Sequence, residues 1–258
     1  MGNTLLSGQV RMEWGWMLCT YIPYLRYMSR QFKRTIVPIK PEYNYLVSDF
    51  AETVAIDHDN YVDRWLNHGK IFSPPKKVWK KFPKAQIVMP GKQTCMCIKR
   101  EHLSYGQVTS LTPQYDIIIH ARASQKYRSA GRNWSPHKYE ETLRLLGKLK
   151  VASVGTEAYH IPGTDDLRGI KLDKLCGILK ASRMVIGPSS GLMHLAHLCK
   201  ASILVWSSAK KQKCIHATNR QRYEVLWRGF DSPVHVLDSE GWSPKVKTIA
   251  HAIEKDLK

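Results

Sequence analysis

Acidic residues are scarce in this sequence. Its 258 residues include 40 Lys or Arg but only 21 Asp or Glu, which leaves a formal net charge of +19. An excess of this size predicts a polyanionic partner: nucleic acid, a phosphorylated substrate or an anionic membrane surface. The alternative is a charge excess that serves solubility alone.

Long hydrophobic runs are also missing. The most apolar stretch, Trp14 to Leu25, is flanked by charged residues and is shorter than the ~20 residues that a membrane span needs. The chain does not begin with a basic region followed by an apolar segment and a small-residue cleavage site, so we expect no secretory signal. The sequence therefore predicts a cytoplasmic protein without integral membrane association.

Cysteine is too sparse and too scattered for a disulfide framework. Six cysteines occur, none of them in a Cys-x-x-Cys pair, and a chain of this length buries a core without such crosslinks. We expect reduced thiols. His194 and His197 have the i, i+3 spacing of metal ligands, but no third ligand or His-Glu-x-x-His pattern accompanies them, so we expect no metal and no other cofactor.

The second half of the chain alternates short apolar strands with amphipathic helices. Strands are predicted in residues 115–120, 151–155, 184–187, 202–206 and 234–237. Helices are predicted after Ser135, from Leu172 and after Ser190. This alternation predicts an α/β fold with a parallel sheet covered on both faces, and a ligand site beyond the carboxyl ends of the strands.

The first half shows the same alternation more faintly. Strands are predicted in residues 4–6, 36–39, 53–56 and 86–89. A helix is predicted from Trp16 to Phe32, with a kink at Pro23. We therefore expect two domains, residues 1–112 and 113–258.

Residues 184–199 carry the strongest chemical signal, because an apolar strand there passes through a tight turn into a helix. The first backbone N–H groups of a helix have no partner within it, and together with the helix dipole they attract phosphate. Ser189 and Ser190 would add hydroxyl donors, and Gly191 would let a ligand approach the backbone. The same turn also occurs as a plain helix N-cap.

The stretch VIGPSSGLMHLAH, residues 185–197, resembles the signature of bacterial ADP-heptose:lipopolysaccharide heptosyltransferases. The resemblance covers roughly residues 115–210, since similar segments surround Leu167-Arg168-Gly169 and His120. It implies a GT-B fold, in which two Rossmann-like domains with parallel sheets face each other across a cleft. It also implies a nucleotide-sugar donor, held mainly by the C-terminal domain, and no metal requirement.

Two departures limit what the resemblance implies. The family has Asp where this sequence has Ser189, and Pro-Gly where it has Ala121-Arg122. The N-terminal half shows no clear match to the acceptor-binding half of the family. The resemblance therefore implies the nucleotide-sugar donor of the family more strongly than its acceptor. It does not imply that the acceptor is lipid A.

Sugar transfer requires that the leaving diphosphate be stabilised as its charge grows. The predicted donor-binding residues are Arg122, Lys126, Arg128, Ser189, Ser190, Gly191 and His194. The three cations lie in a loop after a predicted strand, where the alternative is a solvated basic surface. His194 matches the His of the family motif and either faces the donor or is a histidine of the core.

An acceptor hydroxyl must also lose a proton, and a carboxylate of the N-terminal domain is the expected base. Glu13 is the predicted catalytic residue, because it lies in the loop after the first strand, where the family resemblance places an acidic base. Its alternative role is to complement the N-terminus of the following helix. Asp57 and Asp59, after another predicted strand, are the second choice.

The positive charge exceeds what one diphosphate needs. The predicted nucleic-acid-binding residues are Lys76, Lys77, Trp79, Lys80, Lys81, Lys84, Lys210, Lys211 and Lys213. Aromatic residues among cations, here Trp79 and Phe82, stack on bases. We therefore expect double-stranded DNA as partner and a hydroxymethylated pyrimidine as acceptor, similar to phage-encoded DNA glycosyltransferases.

Two other functions remain open. One is a cell-envelope transferase that docks on anionic lipid, with residues 14–32 as its amphipathic helix. The other is a nucleic-acid-binding protein without enzymatic activity on the same fold, for which Ser189 in place of Asp is the best support.

Overall fold

The fold was obtained as a computed structural model that describes residues 3–57, 72–91, 97–107, 113–123, 131–156, 158–211 and 216–257. The chain divides into two compact units, residues 1–103 and residues 104–258. We call them the first and the second unit. None of the helices among the described residues is long and apolar enough to span a membrane.

The first unit is built on a parallel sheet of four strands. Its strands are β1 (Thr4–Ser7), β2 (Arg34–Ile39), β3 (Glu52–Ala55) and β4 (Gln86–Val88). Between β1 and β2 runs a continuous helical stretch made of α1 (Trp14–Trp16), a π-helical segment (Met17–Tyr21) and α2 (Ile22–Ser29). A 3₁₀ segment (Pro41–Leu46) precedes β3, and the short helix α3 (Lys76–Lys81) precedes β4.

The second unit is built on a parallel sheet of six strands. Its strands are β5 (Tyr115–Ile119), β6 (Val151–Val154), β7 (Asp165–Leu167), β8 (Ser182–Pro188), β9 (Ile203–Trp206) and β10 (Val234–Leu237). Its helices are α4 (Pro136–Leu146), α5 (Leu172–Lys180), α6 (Gly191–Leu198), α7 (Asn219–Gln221), which runs into a second π-helical segment (Arg222–Leu226), and α8 (Val246–Leu257).

The order of the strands puts a topological switch point in each sheet. The second sheet runs β10-β9-β8-β5-β6-β7, so the chain first builds outward from β5 through β6 to β7 and then crosses to β8 on the other side. This is the order of dinucleotide-binding α/β folds, whose ligands bind where the direction reverses. In the first sheet, β3-β2-β1-β4, the reversal lies between β1 and β4.

Both faces of the second sheet are covered. On one face, Ile117 and Ile119 belong to a core cluster with Tyr139 of α4 and Ile249 of α8. Strand side chains alternate between faces, and the alternate residue Ile118 is also fully buried. Helix α6 packs against β8 and β9. The predicted α/β class with two parallel sheets is confirmed.

Several elements were not predicted from the sequence, among them β7, α3 and α8. Strand β7 consists of Asp165, Asp166 and Leu167 at the edge of its sheet, where little of it is buried, so it lacks the apolar run of a buried strand. Helix α3 lies inside residues 72–84, a basic segment interrupted by prolines in which no helix was predicted. Helix α8 follows the last predicted strand and went unrecognised.

Candidate active site

The switch point of the second unit brings together the carboxyl ends of β5 and β8. His120 follows β5 and Ser189 follows β8, and the two strands pair in parallel up to Ile119 and Ile186. The backbones approach so closely that a Cβ on Gly187 would lie 3.0 Å from the carbonyl oxygen of His120. A larger residue at position 187 would therefore force the neighbouring strand end to shift by a few tenths of an ångström.

The turn after β8 is fixed by hydrogen bonds on both sides. The backbone N–H of Ser189 donates to the carbonyl oxygen of Trp206, at the end of β9, over 2.9 Å. Ser190 is the N-cap of α6, and its side-chain oxygen accepts from the backbone N–H of Met193 at 3.5 Å. The predicted strand–turn–helix is present, with the N-terminus of an eight-residue helix at the switch point.

His194 lies inside the second unit and not on its surface. Its ring stacks on Tyr223 with centroids 4.2 Å apart and meets the edge of Trp227 at 4.8 Å. Burial lowers the pKa of His194 well below its usual value, and the nearby Arg222 and His197 lower it further. The ring is therefore uncharged at neutral pH and packs in the core, which favours the second of its two predicted roles, that of a core histidine.

The predicted cationic loop is only partly described. Arg122 is half-buried and forms an antiparallel bridge with Ala158, while Lys126 and Arg128 lie outside the described residues. The sequence missed Arg168, which follows β7 at the same edge of the sheet. Its guanidinium donates to the carbonyl oxygen of Ala158 at 3.1 Å and pairs with Asp166 at 2.8 Å. Because the sequence did not predict β7, it also did not predict that Arg168 lies at this edge of the sheet.

Glu13 lies at the corresponding edge of the first unit. Residues 8–13 follow the carboxyl end of β1, and the carbonyl oxygen of Glu13 accepts from the backbone N–H of Met17 at 2.9 Å. The side chain is half-buried. Asp57 follows β3 and is exposed, whereas Asp59 lies outside the described residues.

Hydrogen bonds and close packing hold the loop that carries Glu13. The backbone N–H of Gly8 donates to the carbonyl oxygen of Val88 at 2.7 Å, and Val10 bridges to Ile39 at the end of β2. A Cβ on Gly8 would overlap the carbonyl oxygen of Phe72. The beginning of this loop thus has a defined shape.

The lysine-rich segment of the first unit is a surface helix. Val78 is its buried residue and anchors α3 to the core, whereas Trp79 is 48% exposed. The lysines that are exposed here, which we call the lysine surface, are Lys76, Lys77, Lys80, Lys81 and Lys84. Phe82 packs against the core under the guanidinium of Arg34, 4.9 Å from its ring centroid, so it is not free to stack on a base.

The cations of residues 210–222 are partly used inside the protein. Arg220 pairs with Asp238 and Glu224, and Arg222 is buried with its guanidinium 4.5 Å from the ring centroid of Trp227. Lys210 and Lys211 are exposed, while Lys213 lies outside the described residues. The surplus of cations available to a polyanion is thus smaller than their number in the sequence.

The helical stretch from Trp14 to Ser29 is a core element of the first unit. All of its residues from Trp16 through Pro23 are buried. The amphipathic helix that the lipid-docking alternative expected in residues 14–32 is therefore wrong, because its apolar side chains are already covered by protein.

No protein-family model matches the sequence, and no curated protein sequence matches it. Solved structures do match. A glycosyl transferase family 9 protein from Veillonella parvula gives a TM-score of 0.63 at 11% identity, over 98% of this chain and 96% of that chain. E. coli ADP-heptose LPS heptosyltransferase II gives a TM-score of 0.61 at 13% identity, over 100% of this chain and 98% of that chain. E. coli heptosyltransferase WaaC with ADP gives a TM-score of 0.58 at 12% identity, over 98% of this chain and 99% of that chain.

These matches extend over almost the whole chain and establish its fold. This chain has the GT-B fold, and the resemblance stated from residues 185–197 is confirmed at that level. The identities are too low to transfer a substrate or a catalytic residue.

The expectation that no metal is required is corrected. Two further structures similar to this chain, both of TibC, are described as iron-containing glycosyltransferases, at TM-scores of 0.48 and 0.46. The described residues contain no group of three or more His, Cys, Asp or Glu placed to hold a metal ion.

Proposed function

We propose that this protein is a glycosyltransferase that takes a sugar from a nucleotide-sugar donor, with the donor diphosphate at the start of α6. One observation carries the proposal: an eight-residue helix begins at the switch point of a six-stranded parallel sheet, two residues after β8 ends. The similar structures of WaaC are described with ADP and with ADP-2-deoxy-2-fluoro heptose, which supports this ligand class.

The proposed donor site stabilises charge with groups that the fold already holds in place before the donor binds. The first N–H groups of α6 and its dipole stabilise negative charge, and this charge grows on the diphosphate as the bond to the sugar breaks. Ser190 holds the end of the helix in shape because its side chain caps it. Arg122, at the end of the neighbouring strand, would add a cation from the other wall of the crevice.

On the acceptor side we propose Glu13 as the base. Its carboxylate would take the proton of an acceptor hydroxyl as the oxygen attacks the anomeric carbon and the nucleoside diphosphate leaves. The placement of Glu13 after the carboxyl end of β1 supports this role.

The donor site is tested with a charge placed at the N-cap. Asp caps a helix as well as Ser does, so Ser190→Asp keeps α6 but sets a carboxylate where the diphosphate binds. We expect an affinity for ADP, UDP or GDP about 10- to 100-fold below that of the wild type, measured by calorimetry, because like charges at contact distance repel strongly. The control is Ser135→Asp, the same change at the exposed N-cap of α4.

Two results would overturn the donor proposal. Failure of the wild-type protein to bind any nucleoside diphosphate or nucleotide sugar at millimolar concentration would remove the donor. Undiminished binding by Ser190→Asp would show that the diphosphate does not bind at the start of α6.

For the acceptor, we propose a hydroxymethylated pyrimidine in DNA as a second candidate beside a cell-envelope saccharide. The lysine surface supports it, since a single helix there exposes several cations around a half-exposed Trp79. Cations bind phosphates and an aromatic ring stacks on a base. A DNA-modifying enzyme of this kind would be phage-encoded and would work in the host cytoplasm. The heptosyltransferase structures favour the envelope acceptor.

Mass spectrometry of digested nucleosides separates these acceptors. The protein is mixed with hydroxymethylated or plain DNA and a panel of nucleotide sugars, and a sugar mass on the hydroxymethylated base supports the DNA acceptor. Changing Lys76, Lys77, Lys80 and Lys81 to Gln should then weaken DNA binding and reduce its salt dependence by roughly one unit of slope per lost phosphate contact. Donor hydrolysis without transfer to DNA favours the envelope acceptor, and DNA binding without any turnover favours the non-enzymatic alternative.

A further inference from the structure

A buried tyrosine hydroxyl touches the strand end at the switch point of each unit. In the first unit the hydroxyl of Tyr21 donates to the carbonyl oxygen of Val88 at 2.9 Å and lies 2.9 Å from the Oγ of Ser7. In the second unit the hydroxyl of Tyr223 lies 3.3 Å from the Oγ of Ser189. Ser7 ends β1 and Ser189 follows β8, so each contact is made where a candidate site begins.

Both tyrosines come from π-helical segments. Tyr21 ends the segment Met17–Tyr21, and Tyr223 is the second residue of Arg222–Leu226. A π-helical turn is rare and is frequently found at functional sites. In each case the turn delivers a tyrosine that is almost fully buried, 0% exposed for Tyr21 and 1% for Tyr223.

Tyr223 contacts both sides of the turn that opens α6. Its hydroxyl reaches Ser189 before the turn, and its ring stacks on His194 within the first turn of the helix, with an interplanar angle of 14°. The backbone N–H of His194 in turn donates to the carbonyl oxygen of Ser190 at 3.2 Å. Residues 190 and 191 are thus held between two contacts to one side chain.

We propose that Tyr223 is a positioning residue for the anion-binding turn, and that Tyr21 plays the same part for the strand end from which the loop carrying Glu13 begins. This inference rests on the proposed function, because it takes the turn at Ser189 to Gly191 as the donor site. Tyr223 therefore controls donor affinity, and Tyr21 controls turnover.

Removal of a hydroxyl alone tests the role of Tyr223. Tyr223→Phe keeps the ring on His194 but loses the contact to Ser189, and we expect its affinity for ADP, UDP or GDP to fall roughly 3- to 10-fold. Tyr223→Leu loses the stacking as well and should bind more weakly still. The control is Tyr115→Phe, which removes a 2.9 Å hydrogen bond to Asp165 at the opposite end of β5 and should leave the affinity unchanged.

A double-mutant cycle distinguishes positioning from general destabilisation. Ser189→Ala removes the other partner of the same contact and leaves the tyrosine intact, so the losses of affinity from Ser189→Ala and Tyr223→Phe should not add in the double variant. Fully additive losses, or a Tyr223→Phe protein that binds as tightly as the wild type, would overturn the inference. Absence of binding by the wild type would instead refute the proposed function.

Steady-state kinetics test Tyr21. Tyr21→Phe should lower kcat roughly 3- to 10-fold with the donor KM unchanged, because its contacts lie in the unit that carries the base. A raised donor KM with unchanged kcat would contradict the role assigned to Tyr21.

Discussion

In the second unit, helix α6 begins at Gly191, directly after the two residues that follow β8. In the first unit, residues 8–13 separate β1 from the helix that begins at Trp14. The sheets share parallel strands and a switch point beside their earliest strand. The two units therefore differ mainly in how far the chain travels between the strand end and the helix.

This difference in length decides what each strand end can do. A turn of two residues brings the N–H groups and the dipole of α6 to the edge of the sheet, which suits an anion. In the first unit the longer loop of residues 8–13 lies between the strand end and the helix, and its proposed contribution is a side chain, the carboxylate of Glu13. Under the proposed function, the second unit binds the leaving group and the first unit takes up the proton.

The largest expected effect comes from removing the carboxylate of the first unit. Glu13→Gln keeps the shape of the side chain but abolishes its basicity, so transfer should slow by roughly 10²- to 10⁴-fold. Binding of nucleoside diphosphates should be unchanged. Turnover and calorimetry on the same preparation measure the two quantities.

Asp57→Asn is the matched control for Glu13. Asp57 is exposed after β3, and its loss should leave turnover intact. Normal turnover by Glu13→Gln together with loss of turnover by Asp57→Asn would transfer the role of base to Asp57, and the comparison of the two strand ends would fail.

A second prediction concerns acid stability of the second unit. Burial, and then Arg228, lowers the pKa of His197 from 6.5 to about 4. The backbone N–H of Gly229 donates to its Nε2 at 3.3 Å, so a proton on that nitrogen would break the contact. Below pH 6.5 His197 is protonated in the unfolded chain, whereas in the folded chain it stays neutral down to about pH 4. The contribution of His197 to stability should therefore be lost between about pH 6.5 and 4 and is on the order of 3 kcal/mol; the buried His194 adds to the same fall.

Denaturant unfolding from pH 8 to pH 4 measures this loss. His197→Gln should make the pH dependence less steep, although it lowers stability at neutral pH, whereas the exposed His251→Gln should leave the slope unchanged. Hydrogen exchange should show the amides of α6 losing protection on acidification before those of β1. An equally steep pH dependence in His197→Gln would contradict the assignment.

The smallest of these effects tests the packing of the first strand end. A Cβ on Gly8 would overlap the carbonyl oxygen of Phe72 and lie 2.9 Å from the Cδ of Pro90. Gly8→Ala should therefore cost about 1–3 kcal/mol of stability. Gly91→Ala, where an added Cβ meets nothing within 4 Å, is the control. Equal stability of the two variants would show that the strand end of the first unit is not tightly packed.

Local sequence patterns predicted much of the fold. The apolar runs of residues 115–120 and 184–187 predicted β5 and β8, because a strand buried on both faces must be apolar throughout. Ser190 followed by Gly191 predicted the start of α6, because a capping side chain and a turn residue lie next to each other in sequence. Strand β7 escaped because Asp165 and Asp166 lie on a solvated edge.

The placement of side chains was harder to predict. His194 and Phe82 have the residue types of a ligand and of a stacking platform, yet the structure buries His194 and packs the partly buried Phe82 against the core. Tyr223 meets Ser189 from 34 positions along the chain, so no local pattern could reveal the contact. The same holds for Arg222, a cation in the sequence that the fold buries against Trp227.

The sequence by itself determined the alternation of strands and helices, the turn at Ser189 to Gly191 and the excess of positive charge. These properties depend on neighbours along the chain or on composition alone. Only the tertiary structure decided which strand ends meet, which cations remain exposed and which tyrosines support the site. Those outcomes depend on contacts between distant residues, and their energies are fixed by burial, which no local pattern of residues specifies.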